Sequence, residues 1–405
     1  MLRRALGLTS AVLALAGCAK TPSVEIGAVL PLSGPAKAYG ESIQRGLELA
    51  FEQLPPREQL RFDVTVRTED SGSDPARGAE ALARMFSAGV FAAVGGVTSD
   101  EALAMAPVAD RAGRVLVSPS ASSPALSGIS NSFYRICPDA REEARILAVH
   151  VLEEQAIPEL AVVYQDDALG RGFVAAFRDS YGGQLTPAEG TVFAVGAEDL
   201  AGVVEAVATA RARARQEGRR FGVLVVALGD DLVHVVRSLR RAAPEDRLFT
   251  TSALANRVVL SALGEDAEQV RFTQTAFDLA RPDEWLASFA ESYELRYGSP
   301  PDYYAAHGFD ALNVLVSAMR SAGARAPAEL RKGMIALDNL PAATGTIRFR
   351  EDNDVQKYAR ISLVLDGAIV PYERYRADQE KALREEKARV QAELDDLLEE
   401  LQEEE

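Results

Sequence analysis

The sequence predicts an α/β protein whose strands and helices alternate, closed by a separate helical tail. Three observations carry this. Short apolar runs at residues 24–30, 90–95, 160–164 and 221–228 are separated by stretches of helical spacing, the pattern of parallel sheets covered by helices. Polar turns rich in Ser, Gly and Pro leave the carboxyl ends of those runs. From Arg376 onward the chain becomes Glu-, Lys-, Arg- and Leu-rich, without Gly or Pro.

Residues 24–30 read as a strand. Residues 41–54 place Ile43, Leu47, Ala50, Phe51 and Leu54 on one helical face. A strand at 62–68 follows, then Asp74-Pro75 as cap and first turn of a helix to residue 87. Next come a strand at 90–95, a helix at 99–112 and strands at 114–118 and 133–136. A second series has helices at 140–155, 172–180, 200–215 and 232–241. Its strands are 160–164, 221–228, 248–251 and 270–276. Two helices fill 285–322, and late strands at 346–350 and 358–365 return to earlier sheets.

At 405 residues, 47% apolar and 26% charged, the chain can bury two domain cores. Its net charge of −16 argues against nucleic-acid binding. The basic run at 210–220 lacks interleaved aromatics and reads as a solvated helix end. Beyond Cys18 only Cys137 remains, and three histidines lie far apart, so neither disulfide nor metal site is expected. The string Gly170-Arg171-Gly172-Phe173-Val174-Ala175 follows its strand too late for a dinucleotide fingerprint. No nucleophile stands with a base, so no catalytic residue, enzyme activity or cofactor is expected.

Arg3 and Arg4, an apolar run to Gly17 and the string Leu15-Ala16-Gly17-Cys18 read as a signal peptide ending in a lipobox over residues 1–18. Lipidation at Cys18 then anchors the protein on the outer side of the cytoplasmic membrane or facing the periplasm.

Residues 95–126 hold the chemistry. Thr98 and Ser99 begin a helix where backbone N–H groups and hydroxyls suit an anion. Ser118, Ser120, Ser122 and Ser123 crowd a second turn between two prolines. Together they predict a cradle for a carboxylate or another polar group.

The strings IGAVLPLSGPAKAYGESIQRGLELAFEQ, TEDSGSDPARGAEALARMFSAGVFAAVGGVTS, VLVSPSASSPAL, VVYQDDALGRGFVAAFRDSYG and YGSPPDYYAAHGFDALNVLVSAM occur in that order. On them the chain resembles the type I periplasmic binding proteins of the branched-chain amino-acid family, which serve ABC importers. The resemblance implies two doubly wound α/β lobes with a three-crossing hinge and a small-molecule ligand between them. One lobe is expected from residues 24–138 with 272–350, the other from 139–271 with 352–372. An ABC permease is the implied partner.

The resemblance also implies ligand contacts at Tyr39, Thr98, Ser99, Ser120, Ala121 and Ser122. Leu169, Leu228 and Ser252 occupy the ligand-facing positions of the second lobe, where they depart from the family. Leu169 replaces an aromatic, Leu228 follows Ala227 in place of a Gly-Tyr pair, and Ser252 replaces the acid that pairs with an α-ammonium. An amino-acid or other carboxylate-bearing ligand is expected, the standard α-amino acid less so. The acid pairs Asp166-Asp167 and Asp230-Asp231 follow strands on the cleft side, where they either supply charge to the ligand or, the preferred reading, cap helices and solvate loops. A non-transport outer-membrane lipoprotein of the same fold, such as an activator of peptidoglycan synthases, is the alternative.

In the tail, Leu383, Val390, Leu394, Leu397 and Leu401 follow a heptad in which Lys387 takes one place. Residues 372–405 contain 13 acids and 6 bases. A coiled coil or partner helix over 376–405 and a solvated tail both stay open.

Overall fold

The computed structural model describes residues 23–403 except 188, 189, 281, 324 and 325, with only the backbone of residues 57 and 396–403. Cys18 and the lipobox lie outside the described residues.

Two sheets form the frame. The first contains β1 (Ser23–Leu30), β2 (Asp63–Asp70), β3 (Ala92–Gly95), β4 (Leu116–Ser118) and β5 (Phe133–Arg135), all parallel, in the order β2-β1-β3-β4-β5. Their alternation sorts side chains to two covers. Ile26, Ala28 and Leu30 meet Ile43, Leu47, Leu312 and Leu315 on one face. Val29 and Ala93 meet Leu82, Met85, Met105 and Ala109 on the other. On the first face, helices Lys37–Glu52 and Tyr303–Ala322 approach backbone to backbone. A Cβ at Gly46 would lie 1.8 Å from the Ala305 carbonyl oxygen, so only glycine fits there.

The second sheet contains β6 (Glu159–Gln165), β7 (Gln184–Leu185), β8 (Thr191–Phe193), β9 (Phe221–Val226), β10 (Arg247–Thr250), β11 (Arg271–Gln274), β12 (Arg360–Leu365) and β13 (Ala368–Pro371). Its order is β13-β12-β11-β10-β9-β6-β7, with β8 also on β6. Strands β6 to β11 pair in parallel, while β12 and β13 add antiparallel at one edge. Leu160, Val162, Leu224 and Val226 pack on Phe173 and Phe177. Ala161, Val163, Val223 and Val225 face the opposite cover.

The sheets divide the chain slightly differently from the expected boundary at residue 272. Strand β11 pairs with β10 and β12 in the second sheet, so the chain leaves that lobe only after Gln274. A parallel partner on one side and an antiparallel partner on the other hold its few residues in that sheet. The expected strand at 346–350 reduces to isolated bridges, Leu340 with Ile347 and Phe349 with Val355. That segment crosses between lobes and finds no sheet edge to extend.

Buried polar groups pin the crossings. Arg135, fully buried, donates from Nε and Nη2 to the two carboxylate oxygens of Asp354, each at 2.6 Å. Its Nη1 reaches the Ser123 carbonyl at 2.9 Å, and Asp139 stands 3.3 Å away. Asp310 accepts the backbone N–H groups of Ala343 and Thr344 at 2.8 and 2.9 Å. The first and third crossings are thus tied together by charge with its hydrogen bonds satisfied.

The terminal helix, Tyr372–Glu403, begins directly after β13, four residues earlier than its composition suggested. Tyr372 stacks edge-on against His150 and receives a bond from Gln155 at 2.9 Å. Among the described residues no helix is long and apolar enough to cross a membrane.

Candidate functional site

The two turns that the sequence singled out meet the second lobe at a small internal cavity. It is lined by Tyr39, Val97, Thr98, Ser99, Ser120, Ser122, Leu169, Leu228, Thr251, Ser252, Ala253 and Tyr304. Every expected contact residue except Ala121 lies on it. Ala121 is buried away from the space, because its N–H is taken by Ser118 Oγ at 3.1 Å and its carbonyl by Cys137 and Arg135. Residues that the sequence reading passed over are Val97, Thr251, Ala253 and Tyr304. Tyr304 had a signal, as the second tyrosine of PPDYY before a long helix.

The local sequence explains the positions. Thr98 ends the loop after β3 and caps helix Ser99–Ala112. Its Oγ accepts from Glu101 N at 3.3 Å, while the Glu101 carboxylate accepts from Thr98 N at 3.0 Å. Ser71 donates a further bond to Glu101. The expected anion cradle is therefore partly filled from within. Glu101 takes the amide and hydroxyl of Thr98, and burial raises its pKa against those bonds. Ser120 donates to the Val97 carbonyl at 2.8 Å. Ser99 Oγ accepts from Ser123 N at 3.1 Å, leaving its O–H to donate into the cavity.

Direct bonds join the lobes around this space. The Tyr39 hydroxyl accepts from Gly229 N at 2.8 Å and donates to the Ala253 carbonyl at 3.2 Å. Gly229 has φ +52° and a Cβ there would stand 2.4 Å from the Pro35 carbonyl oxygen, so glycine permits both the turn and the close approach. Asp100 accepts from Ala168 N at 3.1 Å, capping helix Ala168–Ser180 from the other lobe, and Ser123 donates to the Ala168 carbonyl at 2.9 Å. Asp302 accepts from Asn256 Nδ2 and Arg257 N at 3.2 and 3.0 Å. The lobes are apposed, and the cavity volume between them is about 20 Å³, room for a water molecule.

The lining carries eight hydroxyls and no charged side chain. The acid pairs turn elsewhere. Asp167 caps its own helix through Gly170 N at 2.6 Å, and burial pushes its pKa up to about 6. Asp166 pairs with Arg171, and Asp231 takes Gln165 Nε2 at 2.7 Å and Gly196 N. Behind the wall, Glu143 accepts from Thr273 Oγ at 2.6 Å and from Ser252 Oγ at 3.4 Å. Its burial pushes its pKa up to about 7. Ser252, where the resemblance implies an acid, thus touches an acid supplied from another helix.

A larger hollow of about 450 Å³ lies under the Asp278–Arg374 ion pair, and none of the cleft residues lines it. Among the described residues no three His, Cys, Asp or Glu side chains converge on a metal-sized site.

A profile of the periplasmic binding protein family matches residues 23–367. The chain is 24% identical over 340 residues to a Leu/Ile/Val-binding protein homolog of Brucella melitensis, covering 82% of this chain and 88% of that one. Its fold superimposes on the leucine-binding protein LivK of Thermotoga maritima with a TM-score of 0.79 at 22% identity, over 86% of this chain and 97% of the other. An R. palustris ABC-transporter solute-binding protein in complex with benzoate gives a TM-score of 0.74 at 19% identity, over 86% and 95%. With two lobes meeting at one cavity and a match over nearly all the described residues, the chain belongs to the periplasmic binding protein family, a family of binding proteins rather than enzymes.

Proposed function

We propose that this chain is the extracytoplasmic solute-binding component of an ABC importer, held to the membrane by lipid on Cys18. Its ligand is a small carboxylate-bearing solute without an ammonium group. The observation that carries this is the cavity lining, eight hydroxyls contributed by both lobes and no charged side chain. Tyr39, Thr98, Ser120, Ser252 and Tyr304 already donate within the chain, while Ser99, whose oxygen accepts from Ser123 N, keeps an O–H that suits a carboxylate. A buried ammonium would lose its hydration with no counter-ion in contact. The benzoate held by the R. palustris relative is a carboxylate of that kind, whereas the Brucella relative is named for Leu, Ile and Val. Ligand enters when the lobes part and favours their closure by contacts to both.

The test is thermal unfolding against α-amino acids, their deaminated 2-oxo and 2-hydroxy counterparts, and aromatic acids. At a hundredfold excess over its Kd a ligand adds about 2.7 kcal/mol. The expected hits are acids without an amine, weakened by Ser99→Ala by about 1–3 kcal/mol. Hits confined to α-amino acids overturn the ligand class. Silence throughout supports a second reading, a lipoprotein acting by protein contact. The small cavity and the lobe-to-lobe bonds made by the chain's own side chains favour that reading.

A further inference from the structure

The family profile ends at residue 367 and solved relatives are covered almost completely by 86% of this chain, so the terminal helix stands outside the domain that carries the cleft. It is fixed at its root. Tyr372 packs on His150, Arg374 pairs with Asp278 at 2.9 Å and Arg376 with Glu154 at 3.3 Å. Beyond that root, among the described residues, its side-chain bonds are made within the helix. Pairs one turn apart, Arg376–Glu380, Lys381–Glu385 and Arg389–Glu393, supply local helix stability. At 1.5 Å per residue the arm from Arg376 to Glu403 extends about 40 Å.

Among the described side chains one face of this arm is largely apolar and uncovered, with Lys387 in the heptad place between Leu383 and Val390. Leu383, Val390 and Leu394 are 52%, 53% and 50% exposed, and the heptad continues in sequence to residue 401. Apolar residues at this spacing, with Lys387 reaching outward from its place, fit a groove that takes an amphipathic helix by anchors three, four and seven apart. Charge selects the occupant. Residues 393–405 contain eight acids and no base. A second copy laid parallel brings two such ends together. An antiparallel copy with all seam positions aligned sets glutamate 386 beside glutamate 400, and Glu393 beside its own equivalent. Like charges in that arrangement oppose pairing.

We infer that the terminal helix is a docking arm for a partner protein that presents an apolar groove or helix edged with Lys and Arg. This inference is independent of what the cleft binds.

The test uses the whole chain and two synthetic 28-residue heptad peptides with identical leucine seams, one flanked by Lys and one by Glu. Fluorescence anisotropy is expected to show binding of the basic peptide alone. Replacing Leu383, Val390 and Leu394 together by Gln, a residue that keeps the helix, should weaken it at least tenfold, with the main unfolding transition unmoved. The inference is overturned if neither peptide binds or both bind alike. It is also overturned if the Gln variant binds unchanged, which makes the contact one of charge alone. A dimer of the chain by light scattering that the Gln variant converts to monomer assigns the seam to a second copy instead.

Discussion

Replacing Tyr39 by Phe removes one oxygen and tests whether the chain holds its own cleft shut. That hydroxyl meets two groups of the opposite lobe, Gly229 N at 2.8 Å and the Ala253 carbonyl at 3.2 Å. Gly229 starts helix Gly229–Ala242, whose preceding Leu228 offers no side-chain cap, so Tyr39 serves that function from across the cleft. In the apposed form the Phe variant leaves a buried N–H without a partner, at a cost of about 1–3 kcal/mol. With the lobes parted, water satisfies the same group at little cost. The difference falls on the closing equilibrium and shifts it about 5–150-fold toward the open form. Small-angle scattering should show a larger radius of gyration for the variant, and a ligand that needs the closed form should lose affinity by the same factor. Loss of melting temperature without change in lobe separation would mean that Tyr39 supports the fold rather than closure. An unchanged scattering curve together with unchanged affinity refutes the reasoning.

Glu143 links stability to pH. Its folded pKa is raised to about 7 from an ordinary value of 4.5, so between those values the folded state alone keeps the proton and stability falls as pH rises. Denaturant unfolding at pH 5 and pH 8 should show Glu143→Gln flattening that fall by up to about 3 kcal/mol, and an identical slope in both proteins removes the assignment. Asp354→Ala strands the buried Arg135 guanidinium and should cost about 3–5 kcal/mol, whereas a loss under about 1 kcal/mol in the same assay would show that Asp139 suffices as counter-ion. Cys18→Ser is expected to move the protein from the membrane to the soluble envelope fraction, and membrane retention contradicts the anchor.

Much of the frame was legible in the sequence because its signals are local. The continuous apolar runs at β1, β6 and β9 identify strands buried on both faces. The helix at Ser99–Ala112 coincides with its expected bounds because Thr98 and Glu101 form a capping box and Gly113 ends it in the left-handed conformation. Strand β13, two residues from the β12 run across Asp366-Gly367, was missed, since a short half-buried edge strand has no strong pattern. Helix Pro327–Ile335 was also unassigned, although Pro327 and Glu329 mark its first turn.

The sequence by itself determined the fold class and the two turns that carry Thr98, Ser99, Ser120 and Ser122, half of the cavity hydroxyls, because strand ends, caps and spacing depend on neighbours a few residues apart. Tertiary structure decided what those hydroxyls face. Glu101 occupies the amide of Thr98, Ala121 turns inward toward Arg135, and Tyr39 reaches Gly229, 190 residues away. It also set the placement of β11 and the supply of Glu143 to Ser252 from another helix. Such pairings depend on how two lobes meet, a relation between distant segments that no local pattern encodes.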